Sequence, residues 1–528
     1  MGRVGLMSPH PPSPSSRSPT PGSPRAPEPT AALLAKNTGL NLLGFGLPLV
    51  VALVAVPLLL AGLGEDRFGL LALAWMFIAV FGEVGFGRAA TRFMAEVLGE
   101  GRSGDIGATA RLVIGAQLVL GLLAGGALAL IAPVLVGQVL GVPETLRDEA
   151  AAAFLLVAVA IPIAMMAGVL RGTLEAAQRF DLVNIVRVLV STGSFLFPLV
   201  ALWLGWGLVG VTALLLAGRA GATLAYGALV VRVFPSVLSE PGSGGRTPIR
   251  ALLGYGGWVS ASSVATQILA NLDRLLLGTL VSVAAVGIYT APYELVTRLV
   301  LIPGSLAATL FPAFSTLHGM GRGEESGRLL ARGSRYVMAS VGFAVTLLAA
   351  GAEPILSLWL GGAYTPEAAS ALRLLGAGVL ASAMALLPFS LLQGVGRADV
   401  PGKLHLAQIP FYAAFAWVLI GRWGIAGAAS AWTIRALADA GLLYYAAARL
   451  TPGAFRAEFG RVASTAVCMI LVGGGLAVLV RVAGSGFGAL PVLCAGGGVL
   501  LALLWRISLD GDERARIVGW LRRARARA

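Results

Sequence analysis

Nine charged side chains fall within or close to long apolar runs: Glu83, Arg219, Asp273, Arg274, Glu294, Arg298, Arg373, Arg435 and Asp439. A charge at the centre of a bilayer costs at least about 2.5 kcal/mol on insertion scales, so such residues pair, face water, or face the inside of a helix bundle. Two pairs have i,i+4 spacing, Glu294 with Arg298 and Arg435 with Asp439, so each pair shares a helix face. Either pair reads as a brace between helices or as a contact for cargo. The run 253–275 carries Ser260, Ser263, Gln267, Asn271 and Arg274 at intervals of three and four, which is one helical stripe. Lipid cannot satisfy such a stripe, so it faces protein or a wet cavity. Arg274 ends the stripe, and its neighbour Asp273 points about 100° away around the helix. Arg274 is therefore expected to keep its charge for an anion, since a guanidinium can fork two hydrogen bonds to phosphate oxygens.

Other chemistries lack their residues. Only two lysines are present, Lys36 and Lys403, and neither stands in a GxxxxGK[ST] frame. Neither HExxH nor GxSxG occurs, and Asp510-Gly511-Asp512, which resembles a DxD site, reads as a solvated turn. Cys468 and Cys494 lie in apolar runs as inert thiols, and His10, His318 and His405 are scattered, so neither a metal site nor a cofactor is expected.

The elements that position these residues follow from composition. Of 528 residues, 57% are hydrophobic and 12% charged, with mean hydropathy +0.85. An average soluble domain carries roughly 25% charged residues. Fourteen apolar runs between residues 37 and 507 are each long enough to span, the seventh, 253–275, being the most polar. The expected fold is all-α and polytopic, with about fourteen transmembrane helices. The net charge of +14 sits mostly in short connections on one side of these runs. It fits the positive-inside rule rather than nucleic-acid binding, and places both termini in the cytoplasm. Opposite loops are too short to house an active site, so an enzyme is not expected.

The chain also looks duplicated at an offset of about 218 residues: Gly69 matches Gly287, 89–95 matches 307–313, and Trp206-Gly207 matches Trp423-Gly424. Six spans per copy is even, so the copies insert in parallel, with cargo expected between them. The expected divisions are a Pro/Ser-rich disordered tail (1–35), a first lobe (36–233), a second lobe (252–450), two added spans (461–507) and a basic tail (508–528).

Several ordered patterns then carry a family resemblance. They include 63–69 (LGEDRFG), 83–87 (EVGFG), Gln178-Arg179-Phe180, 271–278 (NLDRLLLG), 286–289 (VGIY), 310–315 (LFPAFS) and 392–397 (LQGVGR). The chain resembles Wzx-type oligosaccharide flippases of the multidrug/oligosaccharidyl-lipid/polysaccharide exporter superfamily over about residues 36–450. The resemblance implies a V-shaped bundle of two six-helix lobes in the bacterial inner membrane. It implies transfer of an undecaprenyl-diphosphate-linked oligosaccharide from the cytoplasmic to the periplasmic leaflet, for O-antigen, lipopolysaccharide or exopolysaccharide synthesis. Its partners would be the lipid-linked saccharide, polysaccharide polymerase and export machinery, and a coupling ion, proton or sodium. The residues expected around the cavity are Glu83, Arg219, Ser263, Gln267, Asn271, Asp273, Arg274, Glu294, Arg298, Arg435 and Asp439. A cation-coupled drug exporter, a lipid II flippase and, further off, a membrane glycosyltransferase are the alternatives. An acidic cavity would favour the first; Asn37 and Asn41 stand in span one where arginines would favour the second.

Overall fold

The structure is a computed structural model that describes residues 31–82, 87, 90, 91, 94, 96, 97, 106–237, 249–451, 455–484, 487–515, 518 and 519. Within these, side chains are described except over 31–45, 249–263 and 455–459 and at 106. Glu83, the side chains of Ser260 and Ser263, and most of the two expected tails lie outside the described residues.

The first half of the chain forms α1 (Ala31–Gly82), α2 (Ile106–Val134), α3 (Arg147–Ala176), α4 (Phe180–Trp203) and α5 (Leu208–Val233). The second forms α6 (Ile249–Leu280), α7 (Val283–Thr297), α8 (Leu301–Gly319), α9 (Gly323–Ala350), the short α10 (Ala352–Leu360), α11 (Pro366–Gly394) and α12 (Asp399–Leu450). Then come α13 (Phe455–Ala483) and α14 (Ala489–Ile507). A helix satisfies its own backbone, which is what lets these apolar sequences sit in hydrocarbon.

Eleven helical stretches among the described residues are long and apolar enough to cross a membrane. The 52-residue α12 would be about 78 Å long if straight, far more than a bilayer core. It breaks at Gly424 (φ 53°, ψ −126°), and α1 breaks likewise at Gly64 (φ 77°, ψ 167°), so each holds two helices. With those two divided and the polar α6 added, the helices match the fourteen expected spans. The protein is thus a multi-pass, all-helical membrane protein.

α7 and α8 form one crossing interrupted by a 3₁₀ turn, Arg298–Val300. Pro303 explains the break. It lacks the N–H that would bond the Leu299 carbonyl, and its ring crowds that carbonyl.

The duplication is visible in the turns. After α3, Gln178 takes φ 56°, the Arg179 N–H bonds the Leu174 carbonyl at 3.0 Å, and Arg179 pairs with Asp181 at 3.0 Å. After α11, Gly396 takes φ 78°, the Arg397 N–H bonds the Leu392 carbonyl at 2.8 Å, and Arg397 pairs with Asp399 at 3.2 Å. Every one of these residues is offset by 218 from its counterpart. The same left-handed helix stop followed by the same ion pair recurs at the same end of the bundle.

Burial is uneven between the two ends. The largest apolar cluster joins both halves, with Leu59, Phe68, Phe154 and Ile161 alongside Val283, Tyr289, Leu356 and Leu375. These residues lie toward the end opposite the arginine-rich connections. Toward the arginine-rich end, the described core separates. One cluster holds only first-half residues such as Leu174, Val183 and Tyr226, and another only second-half residues such as Phe314, Leu330 and Leu391. Among the described residues, the halves are fused at one end and have separate cores at the other.

One expectation is corrected here. Asp510 is not a free solvated turn: it meets Arg335 at 3.4 Å and Arg461 at 2.5 Å, while Glu513 takes Arg335 at 2.7 Å and the Tyr336 hydroxyl at 2.6 Å. Arg335 is fully buried within α9. A buried guanidinium demands carboxylates, and the segment after α14 supplies them.

Candidate functional site

The expected site residues of the second half converge where α6, α7 and α12 pack together. Asp273 on α6 is fully buried and accepts a hydrogen bond from the Tyr289 hydroxyl of α7. Arg274 is 7% exposed, and its guanidinium lies 3.9 Å over the Tyr293 ring. Tyr293 stacks edge-on against Trp432, and Arg435 stands 5.6 Å over Tyr412 and 5.7 Å over Trp432. Cation–π contacts of this kind gain strength where water is excluded. Asp273 Oδ1, Arg274 Nε, Tyr412 Oη, Trp432 Nε1 and Arg435 Nε are buried and lack a hydrogen-bond partner among the described residues. A cluster so rich in unsatisfied polar atoms is a functional-site signature, because buried polar groups are otherwise paired.

One face of this cluster opens toward the first half. Glu294 and Arg298 form the expected i,i+4 ion pair at 2.5 Å, with side chains 18% and 33% exposed. The Arg298 guanidinium sits 5.5 Å over the ring of Phe195, which belongs to α4. Arg298 therefore touches both halves, at the 3₁₀ break that interrupts its crossing. Of the two arginines, Arg298 is the more open and Arg274 the more enclosed.

The stripe on α6 is partly described. Gln267 and Asn271 are half-buried, and the Asn271 amide donates to the Gln267 carbonyl at 3.0 Å. Arg435 and Asp439 share a helix face as expected but do not pair. Asp439 is held by the Gln408 amide at 2.9 Å and by His405 at 3.4 Å, both on the first arm of α12. Arg219 lies apart on α5, half-buried, with its guanidinium 3.5 Å from the Ser194 hydroxyl. Arg373 is also apart, paired with Glu353 at 2.8 Å.

Sequence reasoning missed the aromatic partners. Tyr289 stood in a recognised pattern, but Tyr293, Tyr412, Trp432 and Phe195 carried no signal beyond being aromatic in apolar runs. His405 had been set aside as isolated, and its partner lies 34 residues away.

A second feature is an apolar slot of about 800 Å³ between α9, α11, α12 and α13. Met338, Ala381, Met384, Gly441, Met469 and Gly473 line it, and small residues on two helices make its width. Polar groups occur at its ends: Arg373 at one, and the Ser334–Tyr444 hydroxyl pair, 2.6 Å apart, at the other.

A multi-pass helical bundle, fused at one end and with a charged, aromatic cluster in its second half that reaches the first through Arg298, is the architecture of a membrane transporter. The chain belongs to the polysaccharide biosynthesis protein family, whose profile matches residues 34–318. A Shigella flexneri protein named "Putative O-antigen transporter" is 26% identical over 423 residues, covering 79% of this chain and 98% of that one. The lipid II flippase MurJ in an inward closed conformation superposes with a TM-score of 0.64 at 13% identity, over 89% of this chain and 98% of that one. An inward-facing multidrug resistance MATE family transporter of the MOP superfamily gives 0.58 at 17% identity, over 81% and 94%. At these identities the two structural likenesses are of fold.

Proposed function

We propose that this protein is a flippase that moves a lipid-linked oligosaccharide from the cytoplasmic to the periplasmic leaflet of a bacterial inner membrane, for O-antigen or related surface polysaccharide. The observation that carries this reading is Arg298, a partly exposed cation on the seam between the halves, backed by Arg274 and Arg435. A diphosphate needs such a cationic floor, and guanidinium groups bind its oxygens in forked pairs. The near full-length similarity to the Shigella flexneri protein supports the same cargo class. The apolar slot beside α13 has the lining that a long isoprenoid tail requires. In this reading Arg274, Arg298 and Arg435 face or support the diphosphate. Gln267 and Asn271 line the wet side of α6, Glu294 holds Arg298 in place, and Asp273 and Asp439 are fixed by Tyr289 and by Gln408 and His405. Arg219 belongs to the first-half wall.

The arginine-rich connections orient both termini toward the cytoplasm. A proton or sodium gradient drives the cycle, and polysaccharide polymerase and export machinery take up the product. Neither catalysis nor a cofactor is needed, because the cargo changes leaflet and not bonds.

The test is complementation of a bacterial strain lacking its O-antigen flippase, read as the lipopolysaccharide ladder. Restoration of the ladder supports the reading. Rescue of a lipid II flippase depletion instead, with an empty ladder, would assign the cargo to lipid II.

A further inference from the structure

The apolar slot between α9, α11, α12 and α13 ends beside a cluster of arginines. Ala331, Ser334 and Val462 line the end nearest the arginine-rich connections. Their immediate neighbours in sequence are Arg332, Arg335 and Arg461. A hydrocarbon core takes about 20 helical residues. Counted back from Ala350, where α9 ends, that puts the core edge near Ala331; counted back from Ala483, where α13 ends, it puts the edge near Ser464. The three arginines therefore stand near the level of the lipid headgroups, beside the mouth of the slot.

The segment after α14 lies across this cluster. A buried hydroxyl contact between Ser508 and Thr465, at 3.0 Å, fixes where the segment starts. Beyond it, two carboxylates tie the segment to α9 and α13. Asp510 meets Arg461 at 2.5 Å and Arg335 at 3.4 Å, and Glu513 meets Arg335 at 2.7 Å and Arg332 at 3.8 Å. The Asp510 N–H bonds Glu513 at 2.9 Å, so the two acids act as one unit. Three guanidiniums thus share two linked anionic groups, which is also the charge pattern of a diphosphate, and a diphosphate offers more oxygens for forked bonds. Arg335 is fully buried, but the side chains of Arg332, Arg461 and Asp510 are 55%, 47% and 39% exposed, so the cluster can be reached from outside.

We propose that Arg332, Arg335 and Arg461 form a docking site for the diphosphate of an isoprenoid lipid whose chain lies in the slot, and that Asp510 and Glu513 compete with the lipid for that site. This rests on the flippase reading for the cargo. It gives the lipid a contact at α9 and α13, apart from the central cluster around Arg298. A buried guanidinium needs an anion, so carboxylate and diphosphate exchange over Arg335 rather than leave it bare. The tail thereby sets how readily the site accepts lipid, since apparent affinity falls with the fraction of time that the carboxylates occupy it.

The experiment titrates purified protein in detergent with undecaprenyl diphosphate, without sugar, and reads affinity and melting temperature. Asp510→Asn/Glu513→Gln should melt below the unmodified protein, because Arg335 loses its carboxylates. It should bind the lipid about tenfold more tightly, and its melting temperature should rise more on adding lipid. Both gains should survive Arg298→Ala/Glu294→Gln and vanish with Arg332→Ala/Arg461→Ala. Phosphatidylglycerol and free pyrophosphate should produce neither. Equal affinity with and without the carboxylates, a gain that outlives Arg332 and Arg461, or an equal gain with either control ligand overturns the proposal. Lipid binding that Arg298→Ala/Glu294→Gln abolishes and the tail variant leaves unchanged would refute the tail's part and keep the flippase reading. A second measurement needs no weakened variant. Spin labels at Met320→Cys and Ala515→Cys, both exposed, in a Cys468→Ala/Cys494→Ala background, should gain a longer distance when undecaprenyl diphosphate is added. An unchanged distance distribution overturns the proposal equally.

Discussion

Removing Arg298 separates a brace from a cargo contact. Arg298→Ala deletes one partner of the 2.5 Å pair and leaves Glu294, 18% exposed, without its counter-charge. A stranded charged group of this kind costs about 1–3 kcal/mol of stability. Restoring neutrality with Arg298→Ala/Glu294→Gln should recover most of that loss, because the orphaned carboxylate is gone. If Arg298 also binds the cargo diphosphate, the double variant still lacks a charge-assisted hydrogen bond worth about 1.5–3 kcal/mol. At about 1.4 kcal/mol per tenfold, transport at limiting cargo should fall roughly ten- to a hundredfold in both variants. Thermal unfolding in detergent reads the stability, and the O-antigen ladder in a flippase-deficient strain, at matched protein levels, reads the transport. Recovery of stability without recovery of transport is the expected pattern. A double variant that transports as the unmodified protein does would show that the pair only braces α7.

Three further predictions follow from other parts of the structure. Arg274→Lys should keep part of the transport activity and Arg274→Ala should lose it, at normal protein levels; wild-type export by Arg274→Ala would remove it from the site. Cysteines at Gln267 or Asn271, without Cys468 and Cys494, should react with a membrane-impermeant thiol reagent faster than one at Leu123, which is 66% exposed on the apolar surface; equal rates would deny the cavity. In the tail cluster, burial opposes the charge on Glu513, but the Tyr336 hydroxyl, the Asp510 N–H and Arg335 outweigh it and hold its carboxyl below the usual range. A depressed carboxyl contributes stability above its unfolded value of about 4.3 that is lost as pH falls through the folded value. The melting temperature of wild type should therefore drop toward that of Glu513→Gln in acid below about pH 4, and an undiminished gap there would refute the sign.

What could be read in the sequence was local and periodic. Length and apolarity marked the spans, and i,i+4 spacing found the Glu294–Arg298 pair because one helix supplies both partners. The same rule misassigned Asp439, which reaches instead to Gln408 and His405 across the Gly424 break. Spacing says which residues share a face and not which neighbouring helix covers it. Arg274 illustrates this: its place on the stripe was legible, but the Tyr293 ring over its guanidinium comes from α7. Asp510 was read as solvated for a similar reason, since its partnership with Arg335 depends on how the segment after α14 folds back on α9. The offset of 218 was legible from a handful of matches and reappears as matching turns.

The central claim is that the protein carries a diphosphate-linked saccharide lipid between leaflets. Its most direct measurement is reconstitution into liposomes with a fluorescent undecaprenyl-diphosphate oligosaccharide, the outer-leaflet fluorophore being bleached by a membrane-impermeant reductant. The account predicts that the protected half of the signal becomes bleachable with the protein present, and that Arg298→Ala/Glu294→Gln slows this sharply. A protected signal that persists with wild-type protein under an imposed proton or sodium gradient, while a cationic drug is moved, would contradict it.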